Sequence, residues 1–333
     1  MKALFYNFSK RKFVLKDTSL PKIKDNEVLV KLKNSSPCKT DLYIIAGPLT
    51  KKAYNKKEII LGHSFSGIIQ KVGKKIKNFK PRERVFGSSF VWCGKCFACK
   101  KGSENLCDNR FIFGMEIPGS HQEYIVAPPR AIFHLPKEID LEQGALISDI
   151  LALNLHALRK SNFSPKQKIL ILGLGPVGLT LGMLLKSYNS KFIFAIEPIK
   201  YRQKLAKKIF NPKIISKKEI KNLKNIDIVF ETSGEKKALN EGFNCLKRGG
   251  EMFLIGVQRE KFNLNALKLV SREISIYGIF EFNNQDIQKS LMLLKNKKIN
   301  LKKIITHRFL LKEANKAYQL LRKKESGRII FKI

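Results

Sequence analysis

Four cysteines lie within fifteen residues of this chain, in the segment WCGKCFACKKGSENLC, at Cys93, Cys96, Cys99 and Cys107. Their spacing is C-x2-C-x2-C-x7-C, so short loops must bring four sulfur atoms to one point. Four thiolates complete the tetrahedral shell of Zn²⁺ and leave no open coordination position. The sequence therefore predicts a closed, structural zinc site in residues 93–107, here called the cysteine lobe.

Two other interpretations of the cysteine lobe are weaker. A pair of disulfides needs an oxidising compartment, and the N-terminal MKALFYNFSKRKFVLK lacks the apolar core and cleavage site of a secretory signal. Bacterial ferredoxins place three residues before the fourth cysteine of an iron–sulfur site and a proline after it. This chain has seven residues there, followed by Asp108. Zinc and a cytoplasmic location are therefore expected.

Length and composition limit the class of protein. A chain of 333 residues is longer than one hydrophobic core usually supports, which predicts two domains. Apolar residues make up 44% of it, enough for a sizeable core. The longest uncharged run, residues 169–185, is a little short for a bilayer, and three glycines and a proline interrupt its first ten residues. No membrane partner is expected.

The formal net charge of +38 raises the question of nucleic acid or an anionic membrane. The lysines, however, come as scattered doublets such as Lys207-Lys208 and Lys236-Lys237, without a dense basic arm. The single tryptophan, Trp92, adjoins the cysteine lobe. Nucleic acid is therefore not expected as the primary partner, and a basic, zinc-containing nucleic-acid-binding protein is the weaker alternative.

The pattern of apolar residues changes along the chain. Up to about residue 145, short strands such as EVLVKLK (27–33) and SGIIQKVG (66–73) are separated by turns. From Gln167 onward, strands such as KILILG and KFIFAIE alternate with helices such as GPVGLTLGMLLKSY. Strand–helix alternation of this kind predicts an α/β protein with a doubly wound parallel sheet.

A glycine-rich loop joins the first of these strands to its helix. Gly173, Gly175 and Gly178 form G-x-G-x-x-G, which is informative only in this strand–loop–helix context. The first glycine permits a tight turn, the second a close approach to a pyrophosphate, and the third close packing of helix and strand. Pro176 and Val177 open the helix, whose free N–H groups suit phosphates. The loop predicts a dinucleotide site.

Glu197 ends the next strand, 24 residues after Gly173. A carboxylate at this place accepts hydrogen bonds from the ribose hydroxyls and repels a 2′-phosphate, so NAD is predicted over NADP. Lys200 and Arg202 follow closely, and Arg202 is a candidate cofactor-binding residue that would tolerate the phosphate. Capping of the following helix is the alternative role for Glu197.

A second set of candidate metal ligands is spread along the chain. Cys38 lies in SPCKTDL and His63 in LGHSFSG, and a lone pair of this kind is usually structural. Asp149 stands in an apolar, predicted helical stretch, ALISDILALNLHAL, where an unpaired charge is costly. A metal would explain the acid. The alternative is a structural carboxylate that caps a helix or pairs with His156 or Arg159.

The order of these motifs resembles the zinc-dependent medium-chain dehydrogenase/reductase family of alcohol, polyol and threonine dehydrogenases. The resemblance runs from MKAL through LGHSFSGIIQKVG, the cysteine lobe and GLGPVGL to ITHRFLLKEANKAYQLL. It implies a GroES-like, mostly-β catalytic domain at 1–150 with its zinc lobe near 90–110. It further implies a Rossmann NAD(P)-binding domain at 151–285, a segment at 286–333 that returns to the catalytic domain, and a homodimer or homotetramer.

The resemblance also implies roles for individual residues. Cys38 and His63 match the first two ligands of a catalytic zinc, and the third ligand falls on Asp149. Thr40 matches the hydroxyl residue that touches the substrate alcohol and begins proton relay. Arg328, in SGRIIFKI, matches a basic residue that meets the pyrophosphate of the cofactor.

The implied function is a zinc-dependent oxidoreductase that transfers a hydride between an alcohol and NAD, with two zinc ions per chain. The acidic third ligand favours a secondary alcohol or a polyol as substrate. The chain departs from the family where Ser64 replaces the glutamate that usually follows the histidine. A cofactor-binding scaffold that has lost catalysis is therefore kept as an alternative.

Overall fold

The computed structural model describes residues 1–47, 57–216, 218–257, 261 and 263–333. The chain divides into two compact units. The first unit comprises Met1–Ala152, Glu281–Lys324 and Arg328–Ile333, and the second comprises Leu153–Phe280 and Glu325–Gly327. Residues from both ends of the chain therefore share the first unit.

The bounds of the elements are as follows. The strands are β1 (Lys2–Asn7), β2 (Lys12–Asp17), β3 (Val28–Ser35), β4 (Glu58–Ile60), β5 (Phe65–Val72), β6 (Arg84–Gly87), β7 (Phe90–Val91), β8 (Phe111–Ile112), β9 (Tyr124–Ala127), β10 (Ile132–His134), β11 (Lys168–Leu172), β12 (Phe192–Ile196), β13 (Lys213–Ile214), β14 (Ile226–Glu231), β15 (Leu246–Leu254), β16 (Ser275–Gly278), β17 (Ile305–Leu310) and β18 (Arg328–Lys332). The α-helices are α1 (Lys39–Ala46), α2 (Phe97–Lys100), α3 (Leu141–Gly144), α4 (Leu153–Lys160), α5 (Pro176–Ser187), α6 (Lys200–Ile209), α7 (Lys236–Cys245), α8 (Ala266–Ser271), α9 (Asn284–Lys295) and α10 (Ala314–Lys323). A π-helix covers Ile147–Ala152, and 3₁₀ turns cover Glu104–Leu106, Pro129–Ala131, Glu219–Asn222, Leu301–Ile304 and Leu311–Glu313.

The first unit is built around a mostly antiparallel sheet. Its strands run in the order β10-β6-β5-β3-β18-β17, and β9 also pairs with β3. In β3, Val28, Leu29 and Val30 are all buried, and only from Lys31, which is exposed, does burial begin to alternate along the strand. Strand β18 pairs with both β3 and β17, so the C-terminal strand is fixed within the sheet that carries the N-terminal strands.

A smaller sheet, β2-β1-β4, completes this unit against α10. Phe13 of β2 stacks on Tyr318 of α10 with ring centroids 4.2 Å apart. Leu4, Ile44 and Phe331 belong to the same apolar cluster. This packing buries Tyr318 almost completely and fixes its position.

The second unit is a parallel sheet with helices, in the strand order β13-β12-β11-β14-β15-β16. The central strand β11 is buried from Ile169 to Leu172, as expected for a parallel sheet covered on both faces. Strand order reverses direction at β11, and open α/β sheets bind ligands beyond the carboxyl ends of strands at such a reversal. The predicted doubly wound sheet is confirmed, and it places the glycine-rich loop at this point.

No helix in the described ranges is long and apolar enough to cross a bilayer. The uncharged run at 169–185 forms strand β11, the glycine-rich loop and most of helix α5.

Candidate metal centres and cofactor loop

The cysteine lobe gathers its four sulfur atoms within 4.8 Å of one another. Cys99 Sγ lies 3.9 Å from Cys93 Sγ and 3.5 Å from Cys96 Sγ. Ligand atoms of a tetrahedral zinc ion at ordinary bond lengths are about 3.3–3.8 Å apart. Gly94 adopts a left-handed φ of 76°, which permits the tight turn between the first two cysteines. The lobe therefore fits one tetrahedral zinc ion.

The ionisation of these thiols also favours a bound cation. The backbone N–H groups of Lys95 and Cys96 donate to Cys93 Sγ and lower the pKa of that thiol to about 6. Burial, together with the neighbouring thiols, raises the pKa of Cys99 to about 12. Four adjacent thiols cannot all ionise unless a positive charge compensates them, and a zinc ion supplies that charge.

Cys38, His63 and Asp149 also come together, although they are far apart in the sequence. Their ligand atoms lie within 4.8 Å of one another, and His63 Nε2 is 3.6 Å from Asp149 Oδ1. A thiolate, an imidazole and a carboxylate are all ordinary zinc ligands, and three of them leave one position open. These three residues, here called the open site, fit a catalytic metal.

Each ligand of the open site is held by a different element. Cys38 is the N-cap of α1, and His63 lies in the turn between β4 and β5. Asp149 lies in the π-helix Ile147–Ala152, in a stretch predicted as an ordinary helix. A π-helix adds a residue per turn and is frequent at functional sites. Thr40 follows in the first turn of α1, with its Oγ1 3.6 Å from Cys38 Sγ.

Charges around the open site shift the titration of its ligands. Burial opposes ionisation of Cys38, but the charge of Arg328 and a hydrogen bond with His63 lower the pKa of this thiol to about 6. Burial likewise opposes charging of His63, but Cys38 and Asp41 raise the pKa of its ring to about 9. Without a metal, the negative charges of the site therefore hold a proton on His63 beside the Cys38 thiolate. A metal cation would compensate the same charges, and it would displace that proton because only the neutral imidazole is a ligand.

Asp41 is a buried carboxylate behind the open site that the sequence analysis missed. Its Oδ2 accepts hydrogen bonds from Cys38 N and from Tyr318 Oη, each at 2.8 Å. Its Oδ1 faces His63 Nδ1 at 3.7 Å. Burial opposes its charge, but His121 and His63 outweigh this and hold the pKa of Asp41 at about 2. At 3.7 Å, the Asp41 carboxylate and the His63 ring attract each other by charge and not through a hydrogen bond, with the other ring nitrogen, Nε2, facing Asp149.

Tyr318 and His121 complete this buried network. His121 Nε2 and Tyr318 Oη are 2.8 Å apart, and His121 Nδ1 lies 2.7 Å from Ser35 Oγ. Asp41 stands three residues after Cys38, as a capping-box residue does, which is a local signal. Tyr318 lies 277 positions from Asp41, and no local pattern could have connected them.

Removing the Tyr318 hydroxyl is expected to destabilise the protein. The variant Tyr318→Phe keeps the stacked ring but takes a hydrogen bond from the buried Asp41, which costs about 1–3 kcal/mol. Urea unfolding measures this difference, with Tyr201→Phe as the control because Tyr201 is exposed. A Tyr318→Phe protein as stable as the wild type would contradict a structural role for the hydroxyl.

The glycine-rich loop has little room for side chains. A Cβ on Gly178 would lie 2.0 Å from the carbonyl oxygen of Gly173, and Gly173 itself has a φ of 90°. At Gly175, the N-cap of α5, a Cβ would meet only the side chain of Arg202, at 3.6 Å. Gly173 and Gly178 are therefore closely packed, whereas Gly175 has space through which a ligand could approach the backbone.

Pro176 and Val177 form the first turn of α5. Pro176 has no N–H to satisfy at this first helical position. The carbonyl oxygen of Val177 accepts a hydrogen bond from Asn154 Nδ2 at 3.0 Å. Both residues lie where the sequence placed them, and their contact with a cofactor stays a prediction.

Glu197 is buried beside the loop, with each carboxylate oxygen bonded to one backbone N–H. Oε2 accepts from Leu174 N at 2.8 Å, and Oε1 accepts from Ile199 N at 2.9 Å. The N-cap of α6 is Ile199, not Glu197. A carboxylate oxygen has a second lone pair, so hydroxyl groups of a ligand can still be accepted. Arg202 Nε is buried without a hydrogen-bond partner among the described residues.

Arg328 lies at the open site. Its guanidinium forms an ion pair with Asp149, and its Nη2 donates to Ser64 Oγ at 3.1 Å. Both partners belong to the first unit, as Arg328 does. Its predicted contact with a pyrophosphate stays a prediction.

Glu281 is a second carboxyl group that the sequence analysis missed. It has a left-handed φ of 54° and accepts a hydrogen bond from Ser89 Oγ at 2.6 Å. Burial raises its pKa, and its charge contributes to the raised pKa of His63. The flanking Phe282 packs on Phe90 with ring centroids 5.4 Å apart. No motif surrounds Glu281 in the sequence, so only the fold reveals it.

Comparison with known proteins decides the family. Residues 24–137 match the alcohol dehydrogenase GroES-like domain, and residues 176–296 match the zinc-binding dehydrogenase domain. The chain is 30% identical to L-threonine 3-dehydrogenase of Caldanaerobacter subterraneus subsp. tengcongensis over 324 residues, which cover 93% of this chain and 92% of that protein. The chain belongs to the zinc-dependent medium-chain dehydrogenase/reductase family.

Further medium-chain dehydrogenases agree. Sorbitol dehydrogenase of Bacillus subtilis is 29% identical over 93% of this chain and 90% of its own length. A solved alcohol dehydrogenase of Thermotoga maritima superposes with a TM-score of 0.89 at 25% identity, covering 99% of this chain and 98% of the other. The predicted combination of a GroES-like and a Rossmann fold is confirmed, and this medium-chain dehydrogenase is an oxidoreductase.

Proposed function

We propose that this protein oxidises a secondary alcohol or a polyol with NAD, by hydride transfer at a zinc site formed by Cys38, His63 and Asp149. The convergence of these three ligands within 4.8 Å carries the proposal. A closed site needs four protein ligands, whereas three leave a position for the substrate oxygen. The cysteine lobe then holds the second, structural zinc ion.

The substrate class follows from the site and its relatives. An acidic third ligand, Asp149, resembles the polyol and threonine dehydrogenases more than ethanol-type enzymes. The relatives named above are a threonine 3-dehydrogenase and a sorbitol dehydrogenase, whose named substrates both carry secondary hydroxyl groups. We therefore assign a secondary alcohol with further polar groups.

The chemistry divides between the bound groups and the residues of the chain. When bound, zinc is a Lewis acid that lowers the pKa of an alcohol, and the nicotinamide accepts the hydride. The Asp41 carboxylate lies 3.7 Å from His63 Nδ1, where its charge favours the ring orientation in which Nε2 faces Asp149. Thr40, beside Cys38, takes the proton of the substrate hydroxyl and passes it toward solvent.

The glycine-rich loop and Glu197 provide the dinucleotide site of the proposal. N–H groups at the start of α5 bind the pyrophosphate, and the open face of Gly175 permits its approach. Glu197 accepts hydrogen bonds from the ribose of NAD. Arg202 lies next to Gly175, where its charge attracts the pyrophosphate.

Removing the Glu197 carboxylate is expected to reduce the ratio of kcat/KM for NAD to that for NADP. We expect the wild type to favour NAD by at least about tenfold in kcat/KM, since one misplaced charge contact is worth a kcal/mol or more. In Glu197→Ala the KM for NAD should rise most. Glu197→Gln removes the charge but keeps one acceptor oxygen, and so can retain one of the two backbone hydrogen bonds that Glu197→Ala loses. A wild type that prefers NADP would show that Arg202 or Lys200 dominates.

Domain roles, assembly and location complete the proposal. Residues 1–150 with 286–333 act as the catalytic domain, and residues 151–285 bind the cofactor.

A homodimer or homotetramer is supported by exposed apolar residues near edge strand β16, including Leu267, Val270 and Tyr277. A cytoplasmic location suits cysteines that are all free thiols. Light scattering of the purified protein tests the assembly, and a monomer would contradict it.

A substrate panel tests the function. The zinc-loaded protein is mixed with NAD and sorbitol, L-threonine, 2,3-butanediol or ethanol, and NADH formation is followed by its absorbance. We expect turnover with at least one secondary alcohol and little with ethanol. Full zinc occupancy and measurable NAD binding without any turnover would favour the alternative raised by Ser64, a cofactor-binding scaffold that has lost catalysis. Strongly salt-dependent binding of nucleic acid without turnover would favour the nucleic-acid alternative.

A further inference from the structure

Arg328 is an arginine with unusually deep burial at a candidate metal site. It is only 3% exposed, and its Nε has no hydrogen-bond partner among the described residues. A buried guanidinium is tolerated only where an anion compensates its charge. Arg328 forms an ion pair with Asp149, and its charge also favours the nearby Cys38 thiolate. The ion pair therefore connects Arg328 directly to Asp149, a proposed zinc ligand.

The two oxygens of the Asp149 carboxylate have different neighbours. Oδ2 accepts a hydrogen bond from Ser64 Oγ at 2.9 Å and forms the ion pair with Arg328. Oδ1 faces His63 Nε2 at 3.6 Å. One oxygen is thus held by two donors, and the other is directed at the remaining ligands of the open site.

The backbone around these residues is fixed by hydrogen bonds. Ser36 Oγ donates to Ile329 O at 2.6 Å, and Ser36 N donates to Ser64 O at 3.0 Å. Ser36 therefore joins the residue after Arg328 to Ser64 itself. Strand β18 also pairs with β3, and β3 with β5, so one sheet carries Arg328 in β18 and ends next to Ser64, the residue before β5.

We propose that Arg328 and Ser64 position Asp149 as a metal ligand that binds through Oδ1 alone. Their donors occupy Oδ2 and stop the carboxylate from turning its second oxygen toward the metal. Arg328 is thus a positioning residue of the zinc site, in addition to any contact with the cofactor. This inference rests on the proposed role of Asp149 as a zinc ligand.

The identity of residue 64 fits this arrangement. The family that the chain resembles usually has glutamate there, which would offer Arg328 a second carboxylate. Serine offers only a hydroxyl, which accepts from Arg328 and donates to Asp149. Because Ser64 has no carboxylate to compete for the guanidinium, Arg328 forms its ion pair with Asp149. The serine at position 64 and the Arg328–Asp149 pair therefore belong to one arrangement.

The test compares metal binding in Arg328→Lys, Arg328→Met and Ser64→Ala. Arg308→Met is the matched control, because Arg308 lies on neighbouring strand β17 and pairs with Glu142. Zinc affinity of the open site is measured by competition with a chelator while the cysteine lobe stays loaded. The same site is then filled with cobalt(II), whose visible spectrum reports coordination number. NADH affinity is measured by fluorescence.

We expect the Arg328 variants to lose about 10–100-fold in open-site zinc affinity, the range typical of residues that support a metal ligand. Their cobalt spectrum should shift toward higher coordination as Oδ2 is released. Ser64→Ala should also lower the zinc affinity and shift the cobalt spectrum toward higher coordination, but less than the Arg328 variants do. Arg328→Lys keeps a positive charge and Ser64→Ala removes one hydroxyl, so both test the proposal if Arg328→Met does not fold.

Unchanged zinc affinity and cobalt spectrum in Arg328→Lys and Ser64→Ala would overturn the proposal, and weakened NADH binding alone would assign Arg328 to the cofactor. Cys38→Ser separates this failure from failure of the proposed function. If Cys38→Ser abolishes metal binding at the open site, only the positioning role is wrong. If it has no effect, the open site is not a metal site at all.

Discussion

Asp149→Asn is expected to empty the open site of zinc and to lower kcat by more than about 100-fold, beyond the loss typical of residues that only support a ligand. The amide keeps the shape of the side chain but removes the charge that binds the metal. NADH affinity should change little, because the glycine-rich loop and Glu197 lie in the second unit. Zinc analysis, steady-state kinetics and NADH fluorescence on one variant check all three.

The same variant is expected to lose stability whatever the role of Asp149. Without the carboxylate, the buried Arg328 loses its ion-pair partner, and breaking a buried pair in this way costs about 3–5 kcal/mol. A lower melting temperature therefore does not distinguish a ligand from a structural acid, whereas zinc content does. Asp140→Asn is the control, since Asp140 caps α3 and asparagine caps a helix about as well, so neither zinc content nor stability should change much. Near-normal zinc and kcat in Asp149→Asn would assign the third ligand to another residue.

Cys99→Ser is expected to remove the second zinc ion and to unfold the cysteine lobe. Structural zinc sites supply folding free energy, with apparent binding of about 10–16 kcal/mol in zinc-finger peptides. The three remaining thiols cannot close a tetrahedral shell. Zinc per chain should fall by one, and proteolysis should cut within residues 93–107.

Cys245→Ser is the matched control for this change. Cys245 is a buried cysteine of α7 whose Sγ donates to Glu241 O at 3.2 Å, and burial raises its pKa to about 11. Its loss should leave zinc content and protease resistance unaltered. A Cys99→Ser protein that keeps its full zinc content and an intact lobe would contradict the structural site.

The features that the sequence predicts best are those built from neighbouring residues. The spacing of the cysteine lobe, the glycine-rich loop and the strand–helix alternation all report local structure, and the fold confirms the elements they predict. Strand EVLVKLK is observed as Val28–Ser35, and the buried strand KILILG as Lys168–Leu172. These patterns are reliable because residues close together in the sequence can adopt only a few conformations relative to one another.

The open site shows where local patterns end. Its three ligands were proposed from their order along the chain and from a family resemblance, since no spacing rule joins Cys38 to Asp149. The pairing of Arg328 with Asp149 depends on β18 entering the sheet beside β3, which is a tertiary event. The contacts of Asp41 with Tyr318 and of Ser89 with Glu281 arise in the same way. Polar contacts between residues far apart in the sequence form only when the chain folds, and they produce no periodic pattern from which they could be predicted.

A crystal of the purified protein measured at the zinc absorption edge tests the central claim most directly. The anomalous map should show two zinc peaks per chain, one among the four sulfur atoms of the cysteine lobe and one among Cys38 Sγ, His63 Nε2 and Asp149 Oδ1. A protein prepared with ample zinc that shows the lobe peak alone would contradict a zinc-dependent dehydrogenase site in this chain.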